Sequence, residues 1–269
     1  MMQELMSIRF VLRPRKTNRI PGWLGQAAHG FFLRTLQSIH PGLSEIIHSQ
    51  QTGIVPFTVN NPGGVDMRQP MIDIRPSKRL VLRYTALHPH MSMLILNGMI
   101  PMWSKTGFDL HDQPFFIEDM TVDEEENIWA GMNSYYDLLS RAGTNSIIKM
   151  DFTTPTAFKS KGQFLRLPEP RAVFGSLLRR WNAFAPVCMP EEMLDDIENV
   201  VVVDKHDIHT ASARIKGRIT QKGFVGKVSF RVQSESLLLC QYLNALALFA
   251  KYSGVGIRTG IGMGQAKVA

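Results

Sequence analysis

The order of regular segments in the C-terminal half is the feature that most constrains the fold. IIKMDFTT (147–154) alternates Ile148, Met150 and Phe152 and reads as a strand that Pro155 ends. After the basic loop AFKSKGQFLRLPEP, the stretch RAVFGSLLRRWNAF places Val173, Leu177, Leu178, Trp181 and Phe184 at helical spacing between Pro170 and Pro186. ENVVVVDKHDIHTASARIKGRI is β-branched and partly alternating. QKG (221–223) reads as a turn into FVGKVSFRV, a second strand of a pair. SLLLCQYLNALALFAKYSG is a long apolar helix that Gly254 closes, and GQAKVA is a last short strand. Strand, helix, strand, strand, helix, strand is the ferredoxin-like βαββαβ order.

The first half repeats that order. SIRFVLR alternates Ile8, Phe10 and Leu12. PGWLGQAAHGFFLRTLQSI sets Leu24, Ala28, Phe31, Thr35 and Ile39 on one side of a helix. MIDIR and RLVLRYTAL are two strands around a turn at Pro76–Lys78. HPHMSMLILNGM is a helix, and FFIEDMTV a final strand. The expectation is an α+β chain of two tandem ferredoxin-like, RRM-like domains, residues 1–135 and 136–269, joined near 123–146. The acidic run DEEE (123–126) reads as an exposed loop within that joint.

Charge points to a partner. Residues 1–134 hold 12 Lys+Arg against 12 Asp+Glu, whereas residues 135–269 hold 18 against 11, so the C-terminal half carries the whole net charge of +7. Between Lys205 and Arg231 seven basic residues face one acid, Asp207. Such a patch suits a polyanion, most readily nucleic acid, and a solvated basic face is the plainer alternative. The aromatic stacking signature of an RRM is missing, since KVSFRV has only Phe230. Apolar runs are too short and broken for a membrane span. Cys188 and Cys240 lie far apart and read as reduced, buried thiols of a cytoplasmic protein. HPH (88–90) and HDIH (206–209) lack further ligands at a useful spacing, so no metal and no cofactor is expected. The glycines of YSGVGIRTGIGMG follow a helix and end the chain, which excludes a Rossmann loop.

DFTTPTAFKSKGQFLRLPEPRAVFGSLLRRWNAFAP, GFVGKVSF and ALALFAKYSGVGIRTGIGMGQAKV together closely resemble the CRISPR-associated endoribonuclease of the RAMP superfamily that cuts repeat RNA into guide RNAs. The likeness is strong over residues 145–269. In the first half it is one of pattern, chiefly HGFFLRTLQSIHPGLSEIIHSQQTGIVPFTV. The resemblance implies two ferredoxin-like domains facing across a groove. It implies a metal-independent cut in which a 2′-hydroxyl attacks the adjacent phosphate and leaves a 2′,3′-cyclic phosphate and a 5′-hydroxyl. It implies a histidine on or just after the first helix as general acid or base. CRISPR repeat RNA is then the partner, a CRISPR effector complex a further one, and a homodimer an open possibility.

On that pattern His48 aligns with the usual catalytic position. His29 lies about 140° from Leu24 around the helix, off the apolar stripe, and serves as acid, base or phosphate clamp. His40 reads as a helix-end residue. No basic residue follows His48 between Ser49 and Asn61, so the candidates for transition-state charge are Lys159, Lys161, Arg166 and Arg258, with His29 the alternative that fills the gap. Arg179, Arg180, Arg214, Lys216, Arg218, Lys222 and Lys227 are candidates for an RNA stem or flanking strand. Gly256, Gly260 and Gly262 read either as the wall of an RNA groove whose N–H groups point at phosphates, or as a tight loop–strand junction. A non-catalytic RNA-binding subunit of an effector complex is the alternative function. It needs neither His29 nor His48.

Overall fold

The structure, a computed structural model, describes residues 4–49, 54–64, 66, 68–216 and 219–269. In the first half the strands are β1 (Leu5–Pro14), β2 (Asn18–Pro21), β3 (Phe57–Val59), β4 (Met71–Ile74), β5 (Leu80–Ala86), β6 (Phe108–Asp109), β7 (Pro114–Thr121) and β8 (Gly131–Asn133). The helices are α1 (Gly25–Ile39), α2 (Pro41–Ser49), α3 (Pro89–Leu94), α4 (Ile100–Thr106) and α5 (Tyr135–Arg141). The main sheet runs β3-β5-β1-β7-β6, with β8 paired to the start of β1. Met6, Ile8, Phe10 and Leu12 alternate along β1 into a core closed by Ala28, Phe32 and Leu36 of α1. That period of two on the strand and a 3–4 spacing on the helix is what buries both faces together. The helix expected over 88–99 continues past Pro101. A π-turn at Ile95–Met99 separates α3 from α4 and precedes the proline, which has no N–H to give the helical ladder.

Two readings of the first half are corrected. MIDIR is a strand, but it pairs with Asn18–Pro21 outside the main sheet. The second strand of the ferredoxin-like unit is Phe57–Val59, paired with β5. The turn at Pro76–Lys78 is present, with the Lys78 N–H donating to the Arg75 carbonyl.

The second half contains β9 (Ile147–Thr156), β10 (Phe158–Ser160), β11 (Gln163–Leu165), α6 (Pro170–Phe184), α7 (Met193–Val200), β12 (Val201–Lys216), β13 (Ile219–Val232), α8 (Leu237–Ser253) and β14 (Ala266–Val268). Its sheet runs β12-β13-β9-β14, all antiparallel, the strand order of a ferredoxin-like unit. Phe174, Leu177 and Trp181 of α6 and Leu243, Leu246 and Phe249 of α8 pack on it, together with Tyr135 and Leu138 of α5. Four details differ from the sequence reading. Pro155 lies inside β9, the basic loop forms the β10–β11 hairpin, and a helix precedes the valine run. Gln221, Lys222 and Gly223 sit within β13, opposite Ala213, Ser212 and Ala211, and the pairing of the two strands ends at Lys216 with Ile219.

The DEEE run is an exposed loop, with Glu124 reaching back to the Lys251 ammonium at 2.8 Å. Both cysteines are free. Cys240 is buried, but Cys188 is exposed, contrary to expectation. No helix among the described residues is long and apolar enough to cross a membrane.

Candidate functional site at the seam between the two sheets

The site is built where α1 meets the glycine stretch. Leu24 and Gly25 open α1, and both backbone N–H groups donate to the Asn61 side-chain oxygen, at 2.7 and 3.0 Å. Helix N-termini leave such donors unpaired, and here a residue far along the chain supplies the acceptor. Just before the helix, the Trp23 indole N–H donates to the Ile261 carbonyl at 3.1 Å. One turn into the helix, Nδ1 of His29 lies 2.8 Å from the Gly260 carbonyl. The imidazole stacks on Phe57 of β3, centroids 5.5 Å apart. Residues 25 and 29 share one face of α1. The glycine loop therefore lies along that face.

The chemistry of the Gly260 contact fixes the ring. A carbonyl only accepts, so Nδ1 carries the proton, and in the neutral ring Nε2 is the unprotonated nitrogen. A His29 held in this way by contacts to both halves of the protein has a set tautomer and a set orientation.

The loop itself is tied down from the other side. Arg180 donates to the carbonyls of Gly254 and Gly256, at 3.3 and 2.7 Å. Burial pulls its guanidinium down to about 10, with the neighbouring charge of Arg179 adding to the shift. Gly256 N–H donates to the Ser176 hydroxyl, Ile257 N–H to Ala157, and Gly264 N–H to Pro155. Gly262 bridges Asn60 with φ of +97°, and a Cβ there would stand 2.5 Å from the Asn61 nitrogen. Only glycine permits that approach. The Gly256 N–H is thus engaged inside the protein, and it is the Gly260 and Ile261 carbonyls that face α1. The Gly256 N–H is therefore not one that a phosphate meets.

Several expected cations converge. A cavity of about 440 Å³ is lined by Ile54, Phe158, Lys159, Ser176, Arg179, Arg180, Gly256, Ile257 and Arg258. Lys159, Arg179 and Arg258 are exposed there. Arg258 adopts a left-handed φ of +60°, unusual outside glycine, and carries its side chain two residues from Gly260. Lys161 and Arg166 are exposed on or beside the β10–β11 hairpin. Arg214 and Lys222 are exposed on the long β12–β13 hairpin, on the face opposite Ala213. Arg180 belongs with the loop it braces, and its guanidinium serves backbone carbonyls.

The His48 and Lys216 side chains, and Arg218 altogether, lie outside the described residues; the His48 backbone is in α2. His40 caps α1 and its Nδ1 accepts from the Leu43 N–H. Among the described residues, no group of three or more His, Cys, Asp or Glu is placed to hold a metal ion.

Sequence reasoning missed Trp23, Phe57, Asn61 and Arg83. Trp23 also packs on Ala213, Ile215 and Met263, which joins the β12–β13 hairpin to the start of α1. Arg83 is buried between the two sheets, donating to Ser7, Gln265 and the Lys251 carbonyl and stacked 4.7 Å over Trp129. Burial pulls its guanidinium down to about 9. The doublet NNP at 60–62 and the GWLG run before α1 were the available signals.

The family model described as CRISPR-associated endoribonuclease Cas6 matches residues 150–266. The Cas6 endoribonuclease of Streptococcus thermophilus is 27% identical over 154 residues, which cover 56% of this chain and 63% of that protein. The Cas6 of Mycobacterium tuberculosis (strain CDC 1551 / Oshkosh) is 31% identical over 121 residues, 45% of this chain and 38% of that protein. The chain thus spans less than two thirds of the curated relatives it matches. Among solved structures, a Thermus thermophilus Cas6 in a product complex superposes with a TM-score of 0.85 at 25% identity, covering 99% of this chain and 100% of that one. A second Cas6 product complex gives a TM-score of 0.78 at 26% identity, with 98% and 99% covered. A RAMP protein described as binding different RNA substrates shares the fold alone, with a TM-score of 0.60 at 15% identity and 98% and 99% coverage.

Proposed function

We propose that this chain, which carries the Cas6 sequence model over residues 150–266 and the Cas6 fold along its length, is a metal-independent endoribonuclease that cuts CRISPR repeat RNA into guide RNAs. The observation that carries the reading is His29, held by the Gly260 carbonyl two residues from Arg258, roughly 7 Å of chain. A titratable imidazole bonded to the same loop that carries Arg258 into a cation-lined cavity is what supports the reading.

In the reaction the 2′-hydroxyl gives up its proton and its oxygen bonds to the adjacent phosphorus. The bond from phosphorus to the 5′-oxygen breaks, and that oxygen takes up a proton. The products are a 2′,3′-cyclic phosphate and a 5′-hydroxyl. Nε2 of His29 exchanges the proton at one of the two oxygens, and His48 is the candidate for the other. Lys159 and Arg258 offset the charge that builds on the non-bridging oxygens. Residues 1–135 supply the proton-transfer groups, and residues 136–269 hold the RNA through the exposed cations. The protein acts in the cytoplasm. A CRISPR effector complex is the recipient of the product, and a homodimer is testable by light scattering.

The test is cleavage of a labelled repeat RNA in excess EDTA. The expected product carries a cyclic phosphate, and a 2′-deoxy sugar upstream of the cut abolishes it. A requirement for magnesium refutes the mechanism. His29→Ala is expected to lower the single-turnover rate by roughly 10²- to 10⁴-fold while binding holds and stability falls by no more than about 1–2 kcal/mol, the lost Gly260 bond and Phe57 stack. Equal losses in stability and rate would make His29 a strut between the two halves instead. Binding of repeat RNA by the wild type without any cleavage would favour the non-catalytic RAMP subunit.

A further inference from the structure

The β10–β11 hairpin has two faces with different tasks. Its register pairs Phe158 with Leu165, Lys159 with Phe164 and Ser160 with Gln163. Phe158 is 5% exposed, its ring 6.4 Å from Phe224, and Leu165 packs on the same core. That face anchors the hairpin. Pleating sends Lys159 and Phe164 to the opposite face, side by side. Lys161 and Gly162 both take positive φ, +47° and +81°, the tight two-residue connection that leaves the hairpin little slack.

Phe164 is 44% exposed. A lone exposed apolar residue needs no explanation in itself. A comparison within the chain supplies one. Phe116 is exposed to the same degree, 43%, but Arg15 lies 4.1 Å over its ring and Arg13 5.6 Å. Among the described residues no side chain stacks on Phe164. Its cross-strand neighbour Lys159 lines the cation cavity with Arg179 and Arg258, and exposed Arg166 follows two residues on. An open aromatic face next to a cluster of cations is the arrangement that takes a nucleobase and its phosphate together.

We infer that Phe164 is a stacking platform for a nucleobase of the bound RNA, with Lys159 holding the phosphate beside that base. This rests on the proposed RNA substrate. It supplies the aromatic contact that the sheet strands themselves lack. The base is one free to stack, either unpaired or at the end of a stem.

Repeat RNAs carrying 2-aminopurine at successive positions, with Phe164→Ala, Phe164→Leu, Phe164→Trp and Lys159→Ala, test it. In the wild type one position is quenched on binding. Phe164→Ala removes that quench and weakens binding roughly 5- to 150-fold, from about 1–3 kcal/mol per stacked base. Phe164→Leu behaves as Phe164→Ala, while Phe164→Trp binds within about twofold of the wild type. The salt slope stays unchanged in all three, whereas Lys159→Ala lowers it by about one. Full binding by Phe164→Leu, or no position whose quench depends on Phe164, overturns the platform. A wild type that binds and cuts repeat RNA with Phe164→Ala its equal refutes the platform alone. A wild type that does not bind repeat RNA refutes the substrate, and the platform with it.

Discussion

Replacing Gly25 by alanine tests whether the glycine loop lies on α1 as described. In an ordinary helix this change stabilises by roughly 0.5–1 kcal/mol, because alanine loses less backbone entropy. At Gly25 the new methyl would sit 2.0 Å from the Ile261 carbonyl oxygen and 2.7 Å from its carbon. Backbone cannot yield as a flexible side chain does, so the loop must retreat by more than ~1 Å to restore normal contact. Overpacking of that kind costs about 1–3 kcal/mol. Retreat also breaks the Trp23 bond to Ile261 and stretches the His29 bond to Gly260, about 0.5–1.5 kcal/mol each. The net expectation is a loss of about 2–4 kcal/mol, a fall in melting temperature on the order of 5–15 °C. Single-turnover cleavage should fall as well, because His29 loses its anchor. Gly30→Ala, in the same helix, is the control. Its methyl meets only the end of the Arg34 side chain, at 3.5 Å, so the usual gain of roughly 0.5–1 kcal/mol is expected. Circular dichroism melting and a labelled-RNA assay read both variants. If Gly25→Ala melts higher, as Gly30→Ala does, and cleaves at the wild-type rate, the loop does not rest on α1.

Trp23→Phe removes the indole N–H from Ile261 together with part of a buried ring, and should cost about 1–3 kcal/mol in urea unfolding. Trp23→Ala should cost about 3–5 kcal/mol and speed amide exchange around Ala213 and Ile215, and unchanged exchange there would show that the hairpin is held by other contacts. Ser134→Ala removes the N-cap of α5 and should cost about 1 kcal/mol at neutral pH. The Ser134 hydroxyl and N–H hold the Asp137 carboxyl below its ordinary value of 3.8. A depressed carboxylate stabilises above that ordinary value and less as pH falls through its folded value, so the wild-type advantage over Ser134→Ala should shrink below about pH 4. An advantage constant down to pH 2 would contradict the cap.

Where a segment satisfies one local rule strongly, sequence reading found it. Ile148, Met150 and Phe152 alternate into one face of β9, and Val173, Leu177 and Trp181 fall on the buried face of α6. The errors came from segments whose local signal had a tertiary cause. Gly223 looked like a turn glycine, yet a Cβ there would stand 2.4 Å from the Thr156 carbonyl. Glycine is needed because β9 passes close against β13. MIDIR has the alternation of a main-sheet strand and pairs elsewhere, while Phe57–Val59 is too short to show any alternation. Four valines in a row hid the end of a helix, since α7 stops at Val200 and β12 begins at Val201. His29 could be picked out as a polar residue off an apolar stripe. Its partner could not, because Gly260 is 231 residues away and a backbone carbonyl leaves no mark in a sequence.

The glycine loop joins His29 to Arg258, so under the proposed function a change in the loop itself is expected to act on binding and chemistry together. Its carbonyls at Gly260 and Ile261 set the position of α1 and the His29 ring, and its Arg258 side chain faces the cation cavity. Its Gly254 and Gly256 carbonyls are held in turn by Arg180 from α6. A shift of the backbone anywhere from 254 to 262 therefore moves the Arg258 cation and the His29 imidazole together. Side chains at the ends of this chain of contacts are the positions that divide the two tasks. Under the proposed function Arg258 meets the RNA phosphate, so Arg258→Ala is expected to lower affinity and flatten its salt dependence as well as weaken charge stabilisation in the cut. His29 is the proposed proton-transfer group, so His29→Ala is expected to act on rate. Arg180 reaches both only through the loop. Its loss should lower affinity and rate by similar factors, the behaviour of a positioning residue rather than a phosphate contact.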